Sequence, residues 1–255
     1  MRLLYLMMVL LSISTAVALP IKLYVTEPIT VQISDQTLSN QSLFLANRAD
    51  CPVIIIGNQF GPVISNVVIA NVEIDGNKQN QTRELYQSTI FGPINNNGIQ
   101  IQNATHVTIR DVVIKNCRSG GLVTTMFTKN LRVDGLTTYG NYFDGIACYQ
   151  TMDSEFSNIL SYSNNAAGLS FDMMFNRNHF NNVKLHHNSI GIFMRDSNFN
   201  TFTNLSVYDT KLYELFLAQV NEDTNTGCSY NQFLNTKLEK STIYTNASSI
   251  GNTFR

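Results

Sequence analysis

Five glycines, Gly98, Gly121, Gly145, Gly168 and Gly191, stand 23, 24, 23 and 23 residues apart. A period of this length marks a repeat architecture, in which each unit buries its apolar face only against its neighbours. Such a chain is a stack. Any active surface on it runs along columns of equivalent residues, one from each unit.

The residues after each glycine share a pattern. Ile99 and Ile101, Leu122 and Thr124, Ile146 and Cys148, Leu169 and Phe171, and Ile192 and Met194 occupy the first and third positions, while the second and fourth vary. This period of two belongs to a strand, not a helix. Tyr213–Ala218 continues the series with Glu214 in the glycine's place. A second strand follows in each unit, with cores at 109–112, 133–136, 156–159, 180–183 and 202–205 and echoes at Phe233 and Phe254. Phe156, Phe180, Phe202, Phe233 and Phe254 are therefore expected to stack in one internal column. Asn158, Asn182, Asn204 and Asn235 are expected to form an internal ladder. Asn tolerates left-handed backbone, and stacked amides bond from coil to coil. Residues 69–75 fit the same frame, so coiling is expected to begin before Gly98.

Two or three short strands per unit, one period and no helical segment predict an all-β fold. The expected form is a single-stranded right-handed parallel β-helix with coils of about 23 residues, stacked at the ordinary strand spacing of about 4.8 Å. A leucine-rich repeat has a similar period but requires a Leu-x-x-Leu-x-Leu frame, which this chain lacks.

The organisation follows from breaks in the pattern. Arg2, the apolar run from Leu3 to Leu11 and the small residues Ala16-Val17-Ala18 read as a secretory signal over residues 1–18. A secreted or extracytoplasmic protein is thus expected, with no membrane span after signal removal. Residues 19–60 are expected to cap the stack, and residues 61–255 to form the helix. Polar excursions at 77–96 and 221–230 interrupt the period and are expected to project as loops. The C-terminal end breaks off within a coil, and an open end of this kind is expected to favour oligomer contacts.

Charged residues make up 14% of the 255-residue chain and the net charge is -1, without a basic patch. Nucleic acid is therefore not an expected partner. Four cysteines invite a disulfide reading. The frame instead sets Cys148 in the inward column of Ile101, Phe171 and Met194 and brings no two cysteines within bridging reach, so free thiols are expected. Sequons occur at Asn40, Asn80, Asn103, Asn204 and Asn246. Asn204, on the internal ladder, is expected to be a poor glycan acceptor.

Chemistry must come from outward columns. The fourth position after each glycine holds Gln102, Thr125, Tyr149, Asp172 and Arg195. Asp172, Arg195 and Tyr149 on adjacent coils are the catalytic candidates. A guanidinium neutralises a sugar carboxylate, and Tyr or Arg can exchange a proton at the carbon beside it. The plain alternative is a surface ion pair beside a packed ring. The second column, Tyr139, Tyr162, His186 and Tyr208, is the substrate-binding candidate, its rings suited to sugar faces. The alternative there is that sheets favour aromatic residues anyway. His187 falls in the turn frame of Asn116 and Asp209, and Asp144 precedes Gly145 as in a plain turn, so both read as structural first. No cluster has metal-ligand spacing, and no cofactor is expected.

The phrase Val72-Glu73-Ile74-Asp75-Gly76-Asn77, then Asn97-Gly98-Ile99 and Asn141-Tyr142-Phe143-Asp144-Gly145-Ile146, resembles the broad parallel β-helix superfamily of pectate lyases, polygalacturonases, alginate epimerases and phage tailspikes. The resemblance covers about residues 53–254. The paired aspartates, Gly-His-Gly and Arg-x-Lys of polygalacturonases are missing. Tyr139-Gly140-Asn141-Tyr142-Phe143-Asp144 is an interrupted likeness of the epimerase Tyr-Gly-Phe-Asp-Pro-His run, without its Pro-His. The resemblance implies a polysaccharide or glycan partner. The resulting expectation is an exported β-helix that binds, and cleaves or epimerises, an acidic polysaccharide. The alternative is a non-catalytic surface, adhesion or structural module.

Overall fold

A computed structural model describes residues 22–82, 96–218 and 227–255. The signal segment 1–18 lies outside them, as do most of the first excursion and much of the second. The chain forms a parallel β-solenoid of about nine turns of about 24 residues. Strands from successive turns build two long sheets, of eleven and nine strands, and a short third one. All pairings between named strands are parallel. The only helical turn among the described residues is a single 3-10 turn at Lys78–Asn80. The segment expected as a cap supplies strands from Lys22 onward that pair in the same parallel frame as the rest.

The long sheet contains Val68–Asp75, Thr108–Lys115, Arg132–Tyr139, Glu155–Tyr162, His179–His186 and Thr201–Tyr208. Phe156, Phe180, Phe202 and Phe233 point inward and are at most 1% exposed. Their rings stack at 4.4, 4.7 and 5.0 Å, and Phe254 extends the column by a further 4.9 Å. The predicted internal ring column is therefore present from Phe156 to Phe233, while Phe254 continues the stack but is exposed. In the short-strand sheet Cys148 sits in register with Phe171, and Phe171 with Met194. All four cysteines are free, and burial pushes the Cys148 and Cys228 thiols up to about 12.

The periodic glycines are explained by proximity, not by special dihedrals. A Cβ on Gly98, Gly121, Gly145 or Gly191 would strike Ile114, Thr138, Ser161 or Val207 respectively, the inward column at the end of the long strands. A Cβ on Gly145 would also lie 2.7 Å from the Gly168 carbonyl oxygen, and one on Gly168 would lie 3.0 Å from that of Gly191. The wall is pinched where the two sheets meet, and only hydrogen fits.

The expected asparagine ladder exists but lies outside. Asn158, Asn182, Asn204 and Asn235 are exposed. Each has left-handed backbone, with φ between 49° and 57°. Asn40, Asn71, Asp111 and Gly135 occupy the same bend in earlier turns, again with positive φ. The bend adds one residue to the alternation: Phe156 points in, Ser157 and Asn158 face outward, and Ile159 points in again. Nδ2 of Asn182 donates to Asn158 Oδ1 at 2.7 Å, and Nδ2 of Asn235 to Asn204 Oδ1 at 2.6 Å. The buried ladders are others. Asn141, Asn164 and Asn188 form one at a corner, and Asn178, Asn200, Asn231 and Asn252 another. Each Oδ1 accepts the backbone N–H of the preceding turn, supplying partners where strand pairing stops.

Gly145→Ala is expected to lower unfolding free energy by about 1–3 kcal/mol, the range for forcing atoms into a packed wall. Asn182→Gly, at a position already left-handed, is expected to cost only a few tenths. Urea denaturation of both variants measures the difference.

Candidate functional site

On the outer face of the short-strand sheet, Tyr149 is in register with Asp172. Arg195 lies one turn further on. Nε of Arg195 donates to Asp172 Oδ2 at 3.1 Å, and Nη2 makes a closer contact with the same oxygen. The Asp172 side chain is 5% exposed and that of Arg195 38%. The guanidinium carbon also lies 5.2 Å from the centroid of the Phe193 ring. Burial raises the Asp172 carboxyl above the usual range, while the Arg195 charge pulls it back down. The structure therefore gathers all three predicted residues in one column, with Arg195 already engaged by Asp172.

The second column is a continuous ring row on the outer face of the long sheet. Tyr139 and Tyr162 stack at 4.8 Å, Tyr162 and His186 at 4.9 Å, and His186 and Tyr208 at 4.9 Å, with interplanar angles of 8° to 13°. Each ring is half-buried. Because the faces cover one another, the row meets solvent with its edges. Those edges carry the Tyr hydroxyls and a His ring nitrogen, one hydrogen-bonding group per turn. Lys115 is in register with Tyr139 at one end, and exposed Lys184 flanks His186 in the next outward column. Lys115 Nζ lies 2.6 Å from Glu73 Oε1.

Two features were not read as functional in the sequence. Asp144 is half-buried, and its Oδ1 accepts the Ala167 N–H at 2.8 Å, which bears out a structural role at the turn. Burial raises its carboxyl to about 6. Phe193, Phe216 and Tyr244 stack on the outer face of the short-strand sheet at 5.0 and 4.5 Å. Their period was visible, but an aromatic there resembles the packing residues beside it. A depression of about 400 Å³ lies at the bend of the first turns, lined in part by Asn40, Asn71, Glu73 and Asp111. Its Glu73 also meets Lys115, which is in register with Tyr139 at the end of the ring row. Among the described residues no group of three or more His, Cys, Asp or Glu is placed to hold a metal ion.

No family model and no curated protein sequence matches the chain. Solved structures do resemble it. The A-module of the mannuronan C-5 epimerase AlgE6 from Azotobacter vinelandii aligns with TM-score 0.59 and 15% identity, covering 85% of this chain and 67% of that one. Gene product 12 of bacteriophage phi29, in its pre-mature form, aligns with TM-score 0.70 and 12% identity, over 91% of this chain and 36% of that one. The Yersinia enterocolitica family 28 exopolygalacturonase gives TM-score 0.52 and 10% identity over 84% and 65%. The chain thus spans about two thirds of the two enzymes and about a third of the phage protein. The fold is that of the right-handed parallel β-helix proteins. No helix among the described residues is long and apolar enough to cross a membrane.

Asp144 makes stability depend on pH. Its folded pKa is raised, so the folded state holds the proton longer, and stability falls as pH rises from about 4 to about 6. Asp144→Asn is expected to remove a loss of about 1–3 kcal/mol over that window while keeping the acceptor for Ala167. Urea midpoints at pH 4 and pH 7 for both proteins measure it.

Proposed function

We propose that the protein is an exported β-helix that binds an acidic polysaccharide along its outer columns. The observation that carries this is the ring row. Tyr139, Tyr162, His186 and Tyr208 set hydrogen-bonding edges at regular intervals along the solenoid axis, one per turn. Sugar hydroxyls pair with such edges, and Lys184 beside the row favours a polymer bearing carboxylates. The names of two similar folds, a mannuronan epimerase and an exopolygalacturonase, support the polymer class.

A second reading assigns proton transfer to Tyr149, Asp172 and Arg195. One observation favours it: Asp172 is buried yet held by a guanidinium that remains partly open to solvent. In this reading Arg195 meets the sugar carboxylate, Tyr149 exchanges the proton at the neighbouring carbon, and Asp172 positions Arg195. Recognition stands ahead of turnover, because Arg195 already has a carboxylate partner.

Calorimetry with oligogalacturonate and oligomannuronate tests recognition. Wild type is expected to bind at least one of them, and Tyr162→Ala to bind about tenfold more weakly, the worth of roughly one hydrogen bond with its packing. Binding to neither oligomer by wild type would overturn the proposal. Turnover is read separately, as absorbance of unsaturated products or as a change in uronate stereochemistry. Arg195→Ala is expected to lower any such rate by at least about a hundredfold.

A further inference from the structure

One member of the ring row differs from the others in holding a proton-sensitive contact. Nδ1 of His186 lies 2.8 Å from Nδ1 of His187. At that distance one nitrogen donates and the other accepts, so at least one of the two rings is neutral. Nε2 of His187 in turn lies 3.7 Å from Asp209 Oδ2. Asp209 is itself fixed, its backbone N–H donating to Glu239 Oε2 at 2.8 Å. His187 and Asp209 occupy one corner column, with φ of 55° and 52°, which sets their side chains on adjacent turns.

The surroundings of His186 are few and identifiable. Tyr162 and Tyr208 cover its two faces. His187 meets one edge. Lys184 precedes it by two residues on the same outward face, and Asp209 and Glu239 lie beyond Tyr208 and His187. The stacking faces hold the ring upright, so when Nδ1 is turned to His187, Nε2 remains for a ligand along the row.

On this basis, and resting on the polysaccharide-binding proposal above, we propose that His186 and His187 form a proton-operated anion contact within the row. It tightens its hold on a carboxylate-bearing sugar as the solution becomes acidic. With both rings neutral, the ring-to-ring bond closes the pair on itself. One proton added to the pair still leaves an accepting ring nitrogen, so the bond persists. The second leaves both rings as donors only, breaks the Nδ1–Nδ1 bond, and places two positive charges beside Lys184 in the middle of the row. Burial, and then the His187 charge, hold His186 below its ordinary value, while Asp209 opposes them. The second proton is thus taken up only in distinctly acidic solution, unless an anion is bound. A bound carboxylate raises that affinity for protons. By linkage, the affinity for the anion rises as pH falls through the titration of the pair.

The test is binding of oligogalacturonate at pH 8 and pH 5 to the full chain, with dextran sulfate and neutral dextran as parallel probes. Wild type is expected to bind oligogalacturonate about tenfold more tightly at pH 5, the effect of one unit of pKa change on binding. Neutral dextran is expected to show no such gain. His186→Phe, which keeps the stack, is expected to lose the acid-side gain, and His187→Gln, which removes the like charge beside His186, is expected to move the gain to higher pH. NMR titration of the two ring protons is expected to show two separated steps in wild type.

Each contrary outcome is distinct. Equal affinity at both pH values overturns the switch and leaves polysaccharide binding standing. A gain confined to dextran sulfate overturns the carboxylate assignment. A gain that survives in His186→Phe or is unmoved in His187→Gln, or two independent titrations at the ordinary histidine value, overturns the pair. No oligogalacturonate binding at either pH overturns this proposal, and the one it rests on falls only if oligomannuronate also fails to bind.

Discussion

Parallel pairing in register governs this molecule. Each turn is hydrogen-bonded to the next at one strand spacing, so a side chain has its equivalent in the neighbouring turn about 4.8 Å away. Sequence choices are therefore made by column. An inward column accepts groups that pack on copies of themselves, and the flat ring of Phe does so at 4.4 to 5.0 Å from Phe156 to Phe254. The glycine column obeys the same rule from the other side. There the opposing wall, carrying Ile114, Thr138 and Ser161, leaves no room for a Cβ. Glu214 replaces the glycine in the last full turn, is fully buried, and has its carboxylate bonded to the backbone N–H groups of Lys240 and Thr242 at 3.0 Å.

Corners impose a second constraint. A chain that closes a turn in about 24 residues must bend sharply several times, and here it bends through left-handed residues arranged in columns of their own. Among the described residues, the bend in the long strands uses Asn or Asp in every turn but one. The corner before those strands is less selective and includes Arg177, Phe199 and Tyr230, with φ of 57°, 60° and 56°. Left-handed backbone is unfavourable for bulky residues, and these three side chains are largely exposed. What holds the backbone at this corner comes from inside. The ladder of Asn178, Asn200, Asn231 and Asn252 is hydrogen-bonded to the main chain of adjoining turns. The identity of the exposed corner residue is thereby released.

These two constraints explain what the sequence disclosed. The glycine period and the Phe column revealed the fold because each is forced by contact with its own copy. The asparagine ladder was legible as a column but not as to side, because strict alternation puts Asn158 inside and the left-handed bend shifts it out. The buried ladder of Asn141, Asn164 and Asn188 carried the same period and was overlooked, since a polar residue in a loop carries no hydrophobic signal. In the candidate site, the column of Tyr149, Asp172 and Arg195 was readable from position alone. The direct bond from Arg195 to Asp172, and the stacking of the ring row face on face, were not. Both depend on how side chains turn toward the next rung.

That last point changes what an aromatic row can do on a solenoid. An isolated surface ring offers a face to a sugar. A ring repeated at the strand spacing gives both faces to its neighbours and keeps only its edge for solvent. Its contribution to binding then shifts from apolar contact to hydrogen bonding, and the substituent at the edge decides the chemistry. Three of the four edges here are phenols. The fourth, His186, is an imidazole, the side-chain type whose ordinary value lies nearest neutrality, held below that value here by burial. Since the scaffold holds all four at fixed spacing, a change at His186 is felt by a ligand that spans its neighbours as well.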